Sequence, residues 1–348
     1  MLNNIYDGKT VLVTGASGLI GSNLVERLLL FSGIHVIALG RNIARMERVF
    51  RRQLRNPALK LMEHDVSVPL PPSLGVLDYV FHAAGPISGK IIRTEPVSVV
   101  SANLKGLVNC LDYLERQKSD SGCNGTLLVF SSATVYGNQH QEQVALGEQE
   151  TMMAEVLDSP TAPYSESKRM VEVIARAYAA QYGLVVKIAR FSYVYGYCEI
   201  APATAFYEFI KKALNGEDLV FKQSGFARRD NIFIDDAVAG ILHVCEHGTS
   251  GEAYNVSSNG EGGNFAAIDE IAAEISKSAN ADGVRNVRVI VPNSNVRGVG
   301  FLLDNTRLAN LGWQVSTSLS DGVRAVFDAY ERNKMCPIPN MHYNRGIQ

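Results

Sequence analysis

Short apolar runs alternate along this chain with longer stretches in which an apolar residue recurs every third or fourth position. Residues 10–14, 34–39, 59–63, 79–82, 127–131 and 184–190 are brief, rich in Val, Ile, Leu and Phe, and predict strands. The stretches between them, and those at 22–31 and 164–182 most clearly, carry the helical spacing. Strand and helix in repeated alternation predict a parallel sheet, because parallel neighbours need a crossover connection and the crossover is usually a helix. The expected fold class is α/β, a doubly wound parallel sheet with helices on both faces.

Beyond Arg190 the alternation breaks into aromatic and glycine-containing segments, returning only around 231–247 and 253–256. This predicts a first domain over 1–190 with returns near 230–260, and a smaller, discontinuous C-terminal portion built from 191–229 and 261–348. No internal repeat or low-complexity tract interrupts the chain.

Composition changes the picture little. The chain has 348 residues, 46% of them hydrophobic and 20% charged, with a formal net charge of -2. That is an ordinary globular balance, large enough to bury a full core and without a global pull toward nucleic acid or an anionic membrane. The cysteines Cys110, Cys123, Cys198, Cys245 and Cys336 are scattered with no C-x-x-C spacing, so neither a disulfide framework nor a metal site is expected. A reducing cytoplasm fits this usage. Residues Met1 to Asp7 lack the basic stretch and apolar run of a signal peptide, and no window approaches the roughly 18 to 20 apolar residues of a membrane span.

The first candidate chemistry lies where the first strand ends. It runs into Gly15-Ala16-Ser17-Gly18-Leu19-Ile20-Gly21 and then into a helical pattern. A tight turn, a backbone that must approach a pyrophosphate, and a helix packed close on a strand all require glycine, and the helix N-terminus supplies amide donors and partial positive charge. The expected ligand is a dinucleotide. An acidic residue after the second strand would hold the ribose hydroxyls of NAD, whereas a basic one would accept the 2′-phosphate of NADP. The strand ends Leu39-Gly40-Arg41-Asn42, so the reading is NADP or NAD, with Arg41 favouring NADP. Arg41, Arg45, Arg48, Arg52 and Arg55 fall at helical spacing and predict one arginine-lined face, mostly solvated, whose first turn alone reaches a ribose phosphate.

The second lies on the helix predicted over 164–182. Tyr164 and Lys168 stand four apart and share a face. A phenol is a poor base at neutral pH, and a neighbouring ammonium stabilises the phenolate so that it can take or return a hydroxyl proton. Alone, this spacing is common in helices. Its weight comes from order along the chain: the glycine turn, then a strand ending Ser131-Ser132-Ala133-Thr134-Val135-Tyr136-Gly137, then Tyr164 and Lys168. Ser132 is placed to hydrogen-bond a reacting oxygen at the carboxyl end of a strand, where such sheets bind ligands, with Ser131 and Thr134 as neighbours.

Together these motifs resemble the extended short-chain dehydrogenase/reductases, the NAD-dependent epimerase/dehydratase group that acts on nucleotide-linked sugars, over nearly the whole chain. The resemblance implies a Rossmann-type dinucleotide-binding domain over 1–190 and a substrate-binding C-terminal portion. It implies catalysis by Ser132, Tyr164 and Lys168, with Thr134 beside them. For the cofactor it implies the glycine loop with Ser17, Leu19 and Ile20, an adenine contact at Asp65 and Val66, a contacting turn at Ala83, Ala84 and Gly85, and Asn103 bracing the active-site helix. For a nucleotide-diphosphate sugar it implies Arg229 on the diphosphate, with Arg297 second in rank, and a pocket position at Tyr193. A homodimer through the Tyr164 helix and a neighbouring helix is the family's usual assembly.

The same resemblance separates reactions. Dehydratases of the group carry Asp-Glu after the hydroxyl residue, whereas this chain has Ala133-Thr134; decarboxylases of nucleotide-linked glucuronic acid often have Glu where Thr134 stands. Ser132-Ala133-Thr134-Val135-Tyr136-Gly137 resembles the UDP-galactose 4-epimerases. Two positions depart from them: Gly40 replaces an acidic residue, and Tyr193 replaces the asparagine of R-x-x-N in Arg190-Phe191-Ser192-Tyr193. An epimerase working through a 4-keto intermediate is the first expectation. A 4-ketosugar reductase consuming NADPH is the second, and a glucuronic acid decarboxylase the third.

Overall fold

The structure is a computed structural model that describes residues 5–85, 89–137, 145–150, 154–224, 226–292 and 300–333. Its centre is a parallel sheet of strands β1 (Thr10–Thr14), β2 (His35–Gly40), β3 (Leu59–Glu63), β4 (Tyr79–His82), β5 (Thr126–Ser132), β6 (Val185–Phe191) and β9 (Ala253–Val256). Between β6 and β9 come β7 (Tyr193–Tyr195) and β8 (Arg229–Phe233), which pair with each other outside the main sheet. The sheet order is β9-β6-β5-β4-β1-β2-β3. Connections leave β1 toward one edge and β4 toward the other, so the direction of winding reverses between these two strands. Their carboxyl ends form the crevice where doubly wound sheets bind ligands.

Both faces are covered. Helices α1 (Leu19–Leu28), α2 (Ile43–Val49) and α7 (Ile234–His247) close one core around Val11, Val13, Leu24, Leu28, Phe50 and Ile241. On the other face α4 (Pro96–Ser121), preceded by the short α3 (Gly89–Thr94), and α5 (Ala162–Tyr182) bury Leu12, Val80, Leu107, Leu127, Val171 and Val186. A third core, centred on Phe206, Ile210, Ile275, Val323 and Phe327, joins α6 (Ala205–Leu214), α8 (Ile268–Ala279) and, after the single-turn α9 (Thr306–Ala309), α10 (Leu319–Asn333).

Two elements differ from their expected extent. The helix expected over 22–31 begins at Leu19, inside the glycine motif, because Gly21 allows the first turn to sit on the loop: a Cβ there would lie 2.5 Å from the Gly15 carbonyl oxygen. The arginine-lined helix ends at Val49, and Arg52 and Arg55 lie in the turns that follow. Phe50 is anchored in the core and Pro57 biases Asn56 away from helix, so the chain must turn back to reach β3.

Candidate active site

The glycine loop is shaped by close approach. Gly15 has φ +65, and a side chain there would meet the Ala83 carbonyl oxygen at 2.7 Å, so the loop after β1 lies directly on the turn after β4. Thr14 fastens the two: its Oγ1 is 3.0 Å from Nδ1 of buried His82 and accepts from Ala84 N–H at 3.2 Å. Gly18 caps α1 without a side-chain hydrogen bond, and no acidic residue stands in the first turn. Amide donors and the positive end of the helix dipole are therefore left for an anion.

At the edge of this loop Arg45 Nε donates to Ser17 Oγ at 3.2 Å. Asn42 caps α2 by accepting from Arg45 N–H, and Glu63, in register with Gly40 on the next strand, accepts from Ile43 N–H at 3.2 Å. Arg41 is exposed and close enough to Asp65 to favour its carboxylate; the main cause of that carboxyl's lowered pKa is the hydrogen bonding from Ser67. Val66 is buried against α4 and points its carbonyl at Asn109.

Tyr164, Lys168 and Ser132 come together across β5 and α5. The Ser132 hydroxyl accepts from Thr134 N–H at 3.3 Å and is hydrogen-bonded to the Tyr164 phenol. Lys168 Nζ lies 5.9 Å from the centre of the Tyr164 ring and donates to the Phe130 carbonyl at 2.7 Å. Burial pulls the Lys168 ammonium down to about 8, opposed by the nearby Glu172 carboxylate. Burial pushes the Tyr164 phenol up, opposed by Ser132. Asn103, fully inside, donates to Ser167 Oγ at 2.8 Å, and Ser167 donates to the Tyr164 carbonyl at 2.9 Å, so α4 holds the first turn of α5.

Some polar atoms here lack an internal partner. Asn103 Oδ1 and Thr134 Oγ1 are buried with no hydrogen bond among the described residues. Asn103 Oδ1 packs where a side chain on Gly85 would stand, and Lys168 Nζ is 3.7 Å from that same point. A glycine cradle, open helix amides and an ammonium beside a phenol fit a nicotinamide dinucleotide.

The remaining candidates are more dispersed. Tyr193 on β7 pairs in register with Asn231 on β8 and reaches Thr204 Oγ1 at 3.3 Å. Arg229, at the start of β8, is exposed, and its side chain makes no hydrogen bond or ion pair among the described residues, whereas Arg228 is paired with Glu270. Arg297 lies outside the described residues. Sequence reasoning missed the tie between Thr14 and His82, and it missed the buried pair of Glu172 with Arg190. The signal for Glu172 was present: it continues the Tyr164, Lys168 spacing by one more turn.

Residues 11–257 match the model of the NAD dependent epimerase/dehydratase family. UDP-glucuronic acid decarboxylase 6 of Arabidopsis thaliana is 28% identical over 324 residues, 90% of this chain and 86% of that one. Among solved structures, UDP-glucuronic acid 4-epimerase from Bacillus cereus with UDP-glucuronic acid and NAD superposes with TM-score 0.76 at 23% identity, over 93% of this chain and 99% of that one. UDP-glucose 4-epimerase from Thermotoga maritima with UDP-glucose gives 0.74 at 23% identity, over the same shares of the two chains. None of the described helices is long and apolar enough to cross a membrane. The chain belongs to the NAD dependent epimerase/dehydratase family, enzymes of the extended short-chain dehydrogenase/reductase type that work with NAD or NADP.

Proposed function

We propose that this protein is a nucleotide-sugar epimerase in which Tyr164 handles the proton of a sugar hydroxyl while a bound nicotinamide dinucleotide removes and returns the hydride. The carrying observation is the meeting of Tyr164, Ser132 and Lys168, with Thr134 in place of an added acid. Tyr164 as phenolate takes the hydroxyl proton, Ser132 hydrogen-bonds the same oxygen, and the Lys168 ammonium holds down the phenolate's charge. The dinucleotide, when bound, supplies the hydride acceptor and donor. A hydride returned from that group to the other face of a 4-keto sugar, with the proton given back by Tyr164, would yield the epimer and leave the cofactor unchanged overall.

The reported decarboxylase relative does not outweigh Thr134, since the carboxylate often present there in that group is absent. The solved structures of similar fold include 4-epimerases of UDP-linked sugars, which supports the same substrate class. Arg229, exposed and unpaired among the described residues, is the side chain we assign to the diphosphate, a dianion that a forked, permanently charged guanidinium suits. A homodimer through α4 and α5 is the assembly we assign, supported by exposed Val97, Met170 and Val173 on those helices.

A second reading, a 4-ketosugar reductase using NADPH, is favoured by one corner of the structure: Gly40 brings no carboxylate, while Arg41 is exposed near Asp65 and Arg45 is fixed to Ser17. Cofactor stoichiometry separates the two. With UDP-glucose and UDP-glucuronic acid as first probes, an epimerase converts many equivalents of sugar per bound dinucleotide. Stoichiometric loss of NADPH absorbance with a 4-ketosugar would replace it with the reductase.

A further inference from the structure

We propose that Glu172 is a positioning residue for the proton carrier, the buried anion that ties α5 to the ends of β5 and β6 and offsets the charge of Arg190 beside the Tyr164 and Lys168 pair. The proposal rests on the reading of Tyr164 and Lys168 as the proton-handling pair. Glu172 follows Lys168 by one turn on the same helix face and is only 3% exposed. Its carboxylate accepts from Ser131 Oγ at 2.6 Å, from Arg190 Nε at 2.9 Å, from Arg190 Nη2 at 2.8 Å and from Arg176 Nη1 at 3.3 Å. Ser131 adjoins Ser132, and Ser131 and Arg190 are register partners across β5 and β6. One carboxylate therefore fixes the helix bearing Tyr164 to the strand end bearing Ser132.

Arg190 is itself held. Its Nη1 donates to Tyr136 Oη at 2.9 Å and to the Glu148 carbonyl at 3.0 Å, and Tyr136 donates to Asn255 Oδ1 at 2.7 Å. The anchor thus extends through β9, and breaking one partner of a buried pair leaves an uncompensated charge. Bidentate, charge-assisted bonds of this kind set geometry as well as contribute energy.

The charges around Lys168 come from every packed element. Tyr164, Glu172 and, further along, Arg176 lie on α5, Arg190 is on β6, and His82 is on β4, where burial, reinforced by Lys168, holds its imidazole down to about 3 and so neutral. From β5 comes the Phe130 carbonyl, and from α4 the neutral Asn103. Glu172 is the one carboxylate in this set. Neutralising it leaves the Arg190 guanidinium uncompensated, and an added net positive charge favours the deprotonated forms of Tyr164 and Lys168 alike.

Glu172→Gln keeps the shape and removes the charge. The first readout needs neither substrate nor cofactor: Tyr164 ionisation, taken as the tyrosinate absorbance of each protein minus that of its Tyr164→Phe counterpart. It is expected to move down by at least about half a pH unit, and the rising limb of kcat/KM moves with it. Ser131→Ala cuts the tie to β5 and keeps the charge; kcat on its plateau is expected to fall about tenfold, with KM within about twofold and the limb unmoved. An unmoved Tyr164 ionisation in a folded Glu172→Gln protein would overturn the proposal, leaving a structural ion pair. Should that variant not fold, Ser131→Ala decides, and wild-type kcat would overturn it. Failure of the underlying reading is distinct, because it appears as turnover retained in Tyr164→Phe alone.

Discussion

Keeping Lys168 beside Tyr164 costs stability. Its ammonium is buried and pulled from the ordinary lysine range down to about 8, which corresponds to a cost on the order of 3 kcal/mol near neutral pH, where both folded and unfolded chains are protonated there. Above about pH 8 the folded protein releases this proton while the unfolded chain retains it until about 10.4, so stability from this group rises across that window. Lys168→Met in the unliganded protein is therefore expected to be more stable than wild type at neutral pH, with the gap narrowing as pH approaches about 10. Urea unfolding of both proteins across the range checks this, and a gap that stays constant would contradict it. At this scale Tyr164, Lys168 and Ser132 were legible because a fixed spacing and a strand end locate them. Glu172 shows in the sequence only as one more turn of that spacing, because its meaning depends on Arg190, a β6 residue that only folding brings alongside.

At the scale of elements, the turn from β1 into α1 is the part most narrowly specified by side-chain absence. Gly21→Ala would place a methyl 2.5 Å from the Gly15 carbonyl oxygen and must lift the helix off the loop. We expect a loss of about 1 to 3 kcal/mol in unfolding free energy and at least about tenfold weaker dinucleotide binding by calorimetry. The segment leading into α2 is where we place the cofactor preference. Arg41→Ala is expected to weaken NADP binding about tenfold while leaving NAD nearly unchanged, from the loss of one charge-assisted bond. Equal losses for both would remove the 2′-phosphate argument. The arginine periodicity was read as one helix face, whereas only Arg45 and Arg48 lie on α2, since spacing registers which residues could share a face and not where the helix begins or where Phe50 and Pro57 make the chain turn. Glu63 was equally invisible, because its place beside Gly40 is a matter of strand register.

For the whole molecule, the parallel sheet followed from the alternation of short apolar runs with helical spacing, and a late return of the chain was legible as the apolar run at 253–256, while the place of β9 beside β6 is seen only in the fold. The third core was not, since α6, α8 and α10 are separated by irregular chain and their common packing is a long-range property. Assembly is tested at the same scale. Val173 is 57% exposed on α5, and Val173→Arg is expected to convert a homodimer to monomer by light scattering, whereas an unchanged mass would move the interface elsewhere.

The central claim is that Tyr164 carries the proton at a site where a nicotinamide carries the hydride. Tyr164→Phe tests it most directly, through turnover of a nucleotide sugar that wild type converts and through dinucleotide affinity measured on the same preparation. Turnover is expected to fall at least about a hundredfold, with dinucleotide Kd within about twofold of wild type. Wild-type turnover in that variant would contradict the account.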